Sequence, residues 1–165
     1  LHANTAATAV PRLLDMDVEP FLLASTLEVI IGQRLVRRIC PYCRYSYSVT
    51  QKEACEFFHG ADKFFTKKEK TTLYKGKGCE SCGNTGFRGR VGIYELLVVT
   101  PEIEEMIISR ATSTEINKLA RKQGMKVMFE DGISKVMSGL TTIEELKRTA
   151  APPDTLFSDE KNQDK

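Results

Sequence analysis

At 165 residues, 41% hydrophobic and 28% charged, the chain can bury a real core and reads as one or two small domains. No apolar run approaches the roughly 18 residues a membrane-crossing helix needs, and no secretory signal opens the chain. The first residue is Leu1 rather than Met, as expected of a fragment or processed product. The net charge of +2 is unevenly spread: Gln33 to Arg90 carries 13 Lys/Arg against 5 Asp/Glu, and the remainder 11 against 17. Such a local surplus favours an acidic protein surface, anionic lipid headgroups or nucleic acid, without choosing among them.

The first ten residues begin as if cut out of a strand-to-helix turn, with Asn4 or Thr5 as N-cap. Pro11 removes a hydrogen bond and crowds the preceding turn, which predicts a kink or a restart over 11–14. Asp17-Val18-Glu19-Pro20 is a connector, and Pro20 suits the first turn of a new helix. Phe21, Leu23, Leu27, Ile30, Ile31, Leu35 and Ile39 follow helical spacing, so a helix is expected over 21–39. Gln33, Arg34, Arg37 and Arg38 would then lie near its C-terminal end, where the helix dipole favours cations.

That element leads into Cys40-Pro41-Tyr42-Cys43, which pairs with Cys79-Glu80-Ser81-Cys82 across an intervening 35 residues. Each Cys-x-x-Cys turn places two sulfurs together, so four thiolates can converge on one tetrahedral ion at about 2.3 Å per bond. Zn²⁺ suits such a site, since its filled d shell imposes no geometry and thiolates match its softness. Gly83 and Gly86 supply the positive φ and close approach that wrapping backbone around sulfur requires. Bound as zinc thiolates, the four cysteines would leave the basic segment near +6. Cys-Pro-Tyr-Cys alone also occurs in glutaredoxin-like redox proteins, where it follows a strand and opens a helix in a thioredoxin-like unit. Here it follows the expected helix, runs into polar Tyr45-Ser46-Tyr47-Ser48 and has a second pair as companion. Structural disulfides are disfavoured without a secretory signal. Cys55 reads as an ordinary half-buried thiol.

Between the pairs, Thr50-x-x-Glu53 forms a capping box that opens a helix through Phe58, ended by His59-Gly60. A short basic helix is expected over 62–70 and a strand over 71–74. Four glycines from Gly83 to Gly92 indicate a looping backbone, followed by strand composition from Val91 to Val99. Thr100-Pro101-Glu102 starts a helix. Thr112-x-x-Glu115 caps the next, with Ile116, Leu119 and Ala120 as its stripe and Gly124 at its end. A third runs from Phe129 to Met137, and Thr141-x-x-Glu144 caps a fourth through Arg148. From Ala151 the composition is that of a disordered tail.

Several of these stretches agree in order and spacing with one known family. They are Glu19-Pro20-Phe21-Leu22-Leu23-Ala24, Gln33-Arg34-Leu35-Val36-Arg37, and Gly83-x-x-Gly86-Phe87-Arg88-Gly89-Arg90-Val91-Gly92-Ile93-Tyr94-Glu95. Gly124-Met125, Glu130-Asp131-Gly132, Lys135-Val136, Gly139, Thr141-Thr142 and Glu144-Glu145 complete the set. Together they resemble the C-terminal part of the secretion ATPases, the type II secretion and type IV pilus assembly motors, over nearly all of Leu1 to Thr149. The resemblance implies an α/β fragment, mainly α, from a hexameric RecA-fold enzyme. Residues 1–39 would be the C-terminal edge of the RecA-like ATPase core, 40–90 a tetracysteine zinc subdomain with Cys40, Cys43, Cys79 and Cys82 as ligands, and 91–150 a strand plus a small helical subdomain. Residues 151–165 would be tail.

Leu1-His2-Ala3-Asn4 resembles the end of the family's His box, Ser-Thr-Leu-His-Thr-Asn, with Ala3 where Thr is common. His2 would then be a catalytic-site residue near the terminal phosphate, coupling hydrolysis to domain motion. The implied partners are an inner-membrane platform protein and further copies in a hexamer, with no nucleic acid and at most peripheral membrane contact. The implied location is the cytoplasmic face of the inner membrane. Lys63, Lys67, Lys68 and Lys70 are expected to face the platform.

ATP and Mg²⁺ would belong to the full-length parent only. The chain has no Gly-x4-Gly-Lys-Ser/Thr stretch, since Gly76-Lys77-Gly78 lacks the preceding glycine and the following hydroxyl residue. Nor does a strand end in an acidic pair, and phosphoryl transfer depends on such parts. No turnover is expected from this chain alone. Two other classes compete. A zinc-ribbon nucleic-acid binder would interleave aromatics with cations on one sheet face, for which Phe87, Arg88 and Arg90 are a beginning. A Cys-Pro-Tyr-Cys thiol-disulfide oxidoreductase would need a low-pKa thiol at Cys40.

Overall fold

The computed structural model describes residues 3–58, 60–65, 70–150 and 152. His2, His59, Lys67 and Lys68 lie outside the described residues, as does the expected tail apart from Pro152. In chain order the elements are α1 (Ala6–Leu14), α2 (Pro20–Thr26), β1 (Val29–Ile39), β2 (Arg44–Thr50), α3 (Gln51–Cys55), β3 (Lys70–Gly76), β4 (Phe87–Val98), α4 (Pro101–Ile108), α5 (Ser113–Lys122), α6 (Met128–Met137) and α7 (Ile143–Thr149). Single 3-10 turns cover Ala61–Lys63 and Glu80–Cys82. Among the described residues this is an α/β chain of seven helices and two two-stranded sheets, β1 with β4 and β2 with β3. It divides into two compact units, Leu1–Gln33 with Tyr94–Met128, and Arg34–Ile93 with Phe129–Lys165.

The first unit is built around Val10, Leu97, Ile103, Ile107 and Ile116, all fully buried and joined by the alanines of α1. Thr5 caps α1 through the backbone N–H of Thr8. The restart expected as one option at Pro11 does not occur: α1 runs from Ala6 through Pro11 to Leu14 as one helix. The proline forfeits one intrahelical bond, while Ala6, Ala7, Val10 and Leu14 bury one whole face of the helix. Pro20 opens α2 as expected.

The helix expected over 21–39 is corrected: α2 stops at Thr26, and Val29–Ile39 is a strand. Val29, Ile30 and Ile31 are β-branched, and their spacing satisfies a helical or an extended period equally over so short a run. Pairing with β4 decides the matter. The Val99 N–H donates to Glu28 O at 2.8 Å and the Cys40 N–H to Gly86 O at 2.9 Å, so the two strands run antiparallel. Inside the first unit, Leu97 and Ile30 face the core while Val29, Ile31, Leu96 and Val98 stand exposed.

In the second unit β2 and β3 pair antiparallel from Arg44↔Gly76 to Thr50↔Lys70. The stretch Tyr45–Ser48, read from sequence only as polar, is thus a strand. The Thr50–Glu53 capping box forms, but α3 ends at Cys55 rather than Phe58. Of the basic helix expected over 62–70, the described residues carry one 3-10 turn over Ala61–Lys63, and Lys70 opens β3. Besides Val49, Ala54, Ala61 and Leu73 this region buries rings: Phe58 meets Phe129 edge-on at 5.0 Å, with Phe64 and Phe65 alongside. Cys55 is exposed rather than half-buried.

The last helix is capped one residue later than expected. Thr142 accepts from the Glu145 N–H, while Thr141 is buried and donates to Arg37 O at 2.8 Å. Thr100 occupies the N-cap position of α4, but its hydroxyl pairs with Gln123 at 3.0 Å instead of with the helix. Of the four short helices after β4, α4 and α5 belong to the first unit, and α6 beyond Met128 and α7 to the second.

Candidate metal centre

Strands deliver both cysteine turns. β1 ends at buried Ile39, so Cys40 emerges fully buried with its N–H fixed on Gly86 O. β3 ends at Gly76, and the Lys77 N–H donates to Cys43 O at 3.1 Å, bracing the second turn against the first. The backbones of Gly76 and Gly86 then touch. A Cβ at Gly76 would come within 2.1 Å of Gly86 O, and Gly86 itself has φ +75. No larger residue fits this approach. After Cys79 the chain closes a 3-10 turn, with Cys82 N–H and Asn84 N–H both donating to Cys79 O.

The result brings Cys40, Cys43, Cys79 and Cys82 together with every Sγ within 4.8 Å of the others. Cys40–Cys79 is 3.8 Å, Cys43–Cys82 4.0 Å and Cys79–Cys82 3.7 Å. A tetrahedral ion with bonds of about 2.3 Å requires sulfurs about 3.8 Å apart. A disulfide would hold two of them at about 2.05 Å; all four are free thiols. The spacing is that of a metal cage.

Charge within the cluster is already biased. Burial pushes the Cys82 thiol up, but backbone N–H groups of Cys79 and Gly86 donating to its sulfur prevail and bring it down to about 6. Burial, aided by the neighbouring thiols, pushes Cys79 up to about 11. Four sulfurs competing for protons in this way could hold a cation in the protons' stead. The redox motif is not met in its structural context: Cys40 does follow a strand, but Cys43 leads into β2 and opens no helix.

A second charged cluster ties α7 to this unit. Glu145 is 2% exposed and receives the Arg37 Nε–H at 2.9 Å, the Arg37 backbone N–H at 3.2 Å and Arg148 at 2.5 Å. Burial alone would raise its pKa; the two guanidinium groups reverse that and hold it at about 2. Arg37 also lies 4.2 Å over the Phe87 ring, and Lys75 pairs with Glu144 at 2.7 Å. A cavity of about 330 Å³ opens among Arg37, Lys75, Phe87, Glu144 and Arg148.

In the first unit Glu95 is likewise buried, taking the N–H of Ala6, the first residue of α1, and that of Met128 at 3.2 Å. Sequence reasoning brought the four cysteines together correctly and placed no role on Glu95 or Glu145. Glu95 had a readable signal: it alternates with Ile93 and Leu97 on the inward face of β4, where a carboxylate must find donors. Glu145 had none, since an acid in the first turn of a helix is ordinarily a surface residue. His2 lies outside the described residues.

The fold and site define a class: an α/β chain whose strand ends carry a four-cysteine cage able to hold one metal ion. The sequence profile described as Type II/IV secretion system protein matches residues 1–148, and the chain belongs to that family. It is similar to the type IV pilus assembly ATPase PilB of Thermus thermophilus, 44% identical over 146 residues, covering 88% of this chain and 16% of that protein. It is also similar to the type II secretion system ATPase E of Vibrio cholerae, 42% identical over 148 residues, covering 90% and 28%. A putative type II secretion system protein E of Escherichia coli is 41% identical over 152 residues, covering 92% and 29%. The chain therefore spans less than a third of the length of each. Among the described residues no helix is long and apolar enough to cross a membrane.

Proposed function

We propose that this chain is the C-terminal, zinc-binding part of a hexameric motor ATPase that drives type IV pilus assembly or type II secretion. The observation that carries the reading is the four-sulfur cage, set in a chain about 40% identical to ATPases named for those two tasks. Zn²⁺ is the proposed occupant because tetrahedral all-thiolate sets suit it and structural zinc leaves no open coordination position. The ion has a structural role. Cys40 and Cys43 hold the exit of β1, Cys79 and Cys82 hold the entry to β4, and the ion fixes one against the other.

Residues 1–39 are proposed as the edge of a RecA-like core, 40–90 as the zinc subdomain and 91–150 as the strand and helices beyond it. ATP, Mg²⁺ and the phosphate-binding machinery belong to the longer parent, where His2 would sit by the terminal phosphate. The sequence of this chain holds no phosphate-binding loop, so it turns over no ATP by itself. The proposed partners are other copies in a hexamer and a platform protein at the cytoplasmic face of the inner membrane, met by the basic side of the zinc subdomain through Lys63, Lys67, Lys68 and Lys70. No nucleic acid is involved.

Elemental analysis tests the metal directly. The purified chain is expected to carry one zinc per molecule, and serine at Cys79 or Cys82 to abolish it; a metal-free chain with an unchanged spectrum would falsify the reading. For the motor, the same cysteine changes made in the parent are expected to stop pilus assembly or secretion.

A further inference from the structure

The β2–β3 sheet carries a run of rings and cations in register. Tyr45 stands opposite Lys75, and Tyr45 and Tyr47 lie 6.4 Å apart on one side of β2. Lys75 Nζ sits 5.2 Å from the Tyr47 ring and Lys77 Nζ 5.5 Å from the Tyr45 ring. At the first cysteine turn Arg88 repeats the arrangement, 5.3 Å over Tyr42, which at 72% is the most exposed large ring among the described residues. Lys77 and Arg88 have no carboxylate partner among the described residues, and the surrounding segment has a strong positive surplus. Tyrosine and arginine held rigidly at a surface are the residue types that anchor protein interfaces. Here strand pairing and the cysteine turns hold them in place before any partner arrives, which lowers the cost of binding.

We infer that the Tyr45–Tyr47–Lys75–Lys77 face, extended by Tyr42 and Arg88, docks an acidic segment of a partner protein. The fold already shows one carboxylate taken this way: Glu144 closes on Lys75 at 2.7 Å beside Tyr47. A stacked nucleic-acid base fits less well, because Tyr42, Tyr45 and Tyr47 each carry their own cation over the ring. A bilayer fits less well too, since insertion needs an exposed apolar tip and this face offers phenols and ammonium groups. The inference rests on the platform contact proposed above only for the existence of a partner. It assigns the acidic segment to the sheet face, a site separate from the lysines over 63–70.

The test is binding of a fluorescent twelve-residue polyglutamate peptide to the metal-loaded chain at physiological salt. Tyr45→Ser with Tyr47→Ser leaves the charge unchanged and is expected to weaken binding tenfold or more. Should that pair lose metal, Tyr42→Ser with Lys77→Gln, both at exposed positions, is expected to weaken it at least fivefold with metal content intact. Reversal of Lys63 and Lys70 to Glu is expected to change it less than threefold. Tyrosine variants that bind as the parent chain does, or a chain that takes a twenty-nucleotide oligo-dT or phosphatidylglycerol vesicles and ignores the peptide, overturn the inference. The assay reads neither zinc content nor ATP hydrolysis by the parent, so it can fail while the motor reading stands, and the reverse.

Discussion

Glu145 shows how much one carboxylate can hold. It is the third residue of α7, yet its oxygens are spent on Arg37 and Arg148. Its folded pKa of about 2 lies below the ordinary 4.5. The sign follows: the stabilisation is complete above about 4.5 and is lost as pH falls through that value toward 2. Thermal melts from pH 6 to 2 should fall more steeply for the parent chain than for Glu145→Gln. At neutral pH, Glu145→Ala is expected to cost about 2–3 kcal/mol, at the lower end for a broken buried pair because both arginines keep access to water. Glu95 acts on backbone instead of on charge. Glu95→Ala strands the buried N–H groups of Ala6 and Met128, at about 1–3 kcal/mol each. Denaturant titration should show it, with fast amide exchange at Ala6 as the local signature.

At the scale of elements, capping chemistry was readable and strand pairing was not. The Thr50–Glu53 and Thr112–Glu115 boxes form as written, because both partners lie within one turn. The exchange of a long helix for β1 turns on β4, which lies some fifty residues away in the chain. No window around Ile30 contains that information. Close approaches were equally hidden. Gly76→Ala would drive a methyl into Gly86 O and part the two cysteine turns, so metal affinity by chelator competition should drop tenfold or more with each cysteine still present. Gly132→Ala would set its Cβ 2.2 Å from Leu146 Cδ1, between α6 and α7. Overpacking of this kind costs about 1–3 kcal/mol, visible as a lowered melting temperature.

Over the whole molecule, the two units draw on different sources of stability. The first has an aliphatic core of its own, Val10, Leu97, Ile103, Ile107 and Ile116. Within the second, the stretch from Arg34 to Ile93 is thin in aliphatics; with the proposed zinc in the cysteine cage, ion binding and folding would share about 10 kcal/mol or more of apparent free energy there. Chelation should therefore abolish amide protection over β2 and β3 while α1, α4 and α5 keep theirs; uniform loss across both units would refute this division.

The amino-acid sequence alone determined which four cysteines gather, since two Cys-x-x-Cys turns state their chemistry locally, and it determined the family through motifs whose order survives without coordinates. It also determined most helix starts, because a cap and its partner are three residues apart. Only the tertiary structure decided that β1 is a strand, that Glu95 and Glu145 are buried and satisfied, and that Tyr42, Tyr45, Tyr47 and Tyr74 each meet a cation. The reason is physical: these outcomes depend on groups distant in the chain meeting across a sheet or a helix face, and a contact of that range leaves no mark on local spacing.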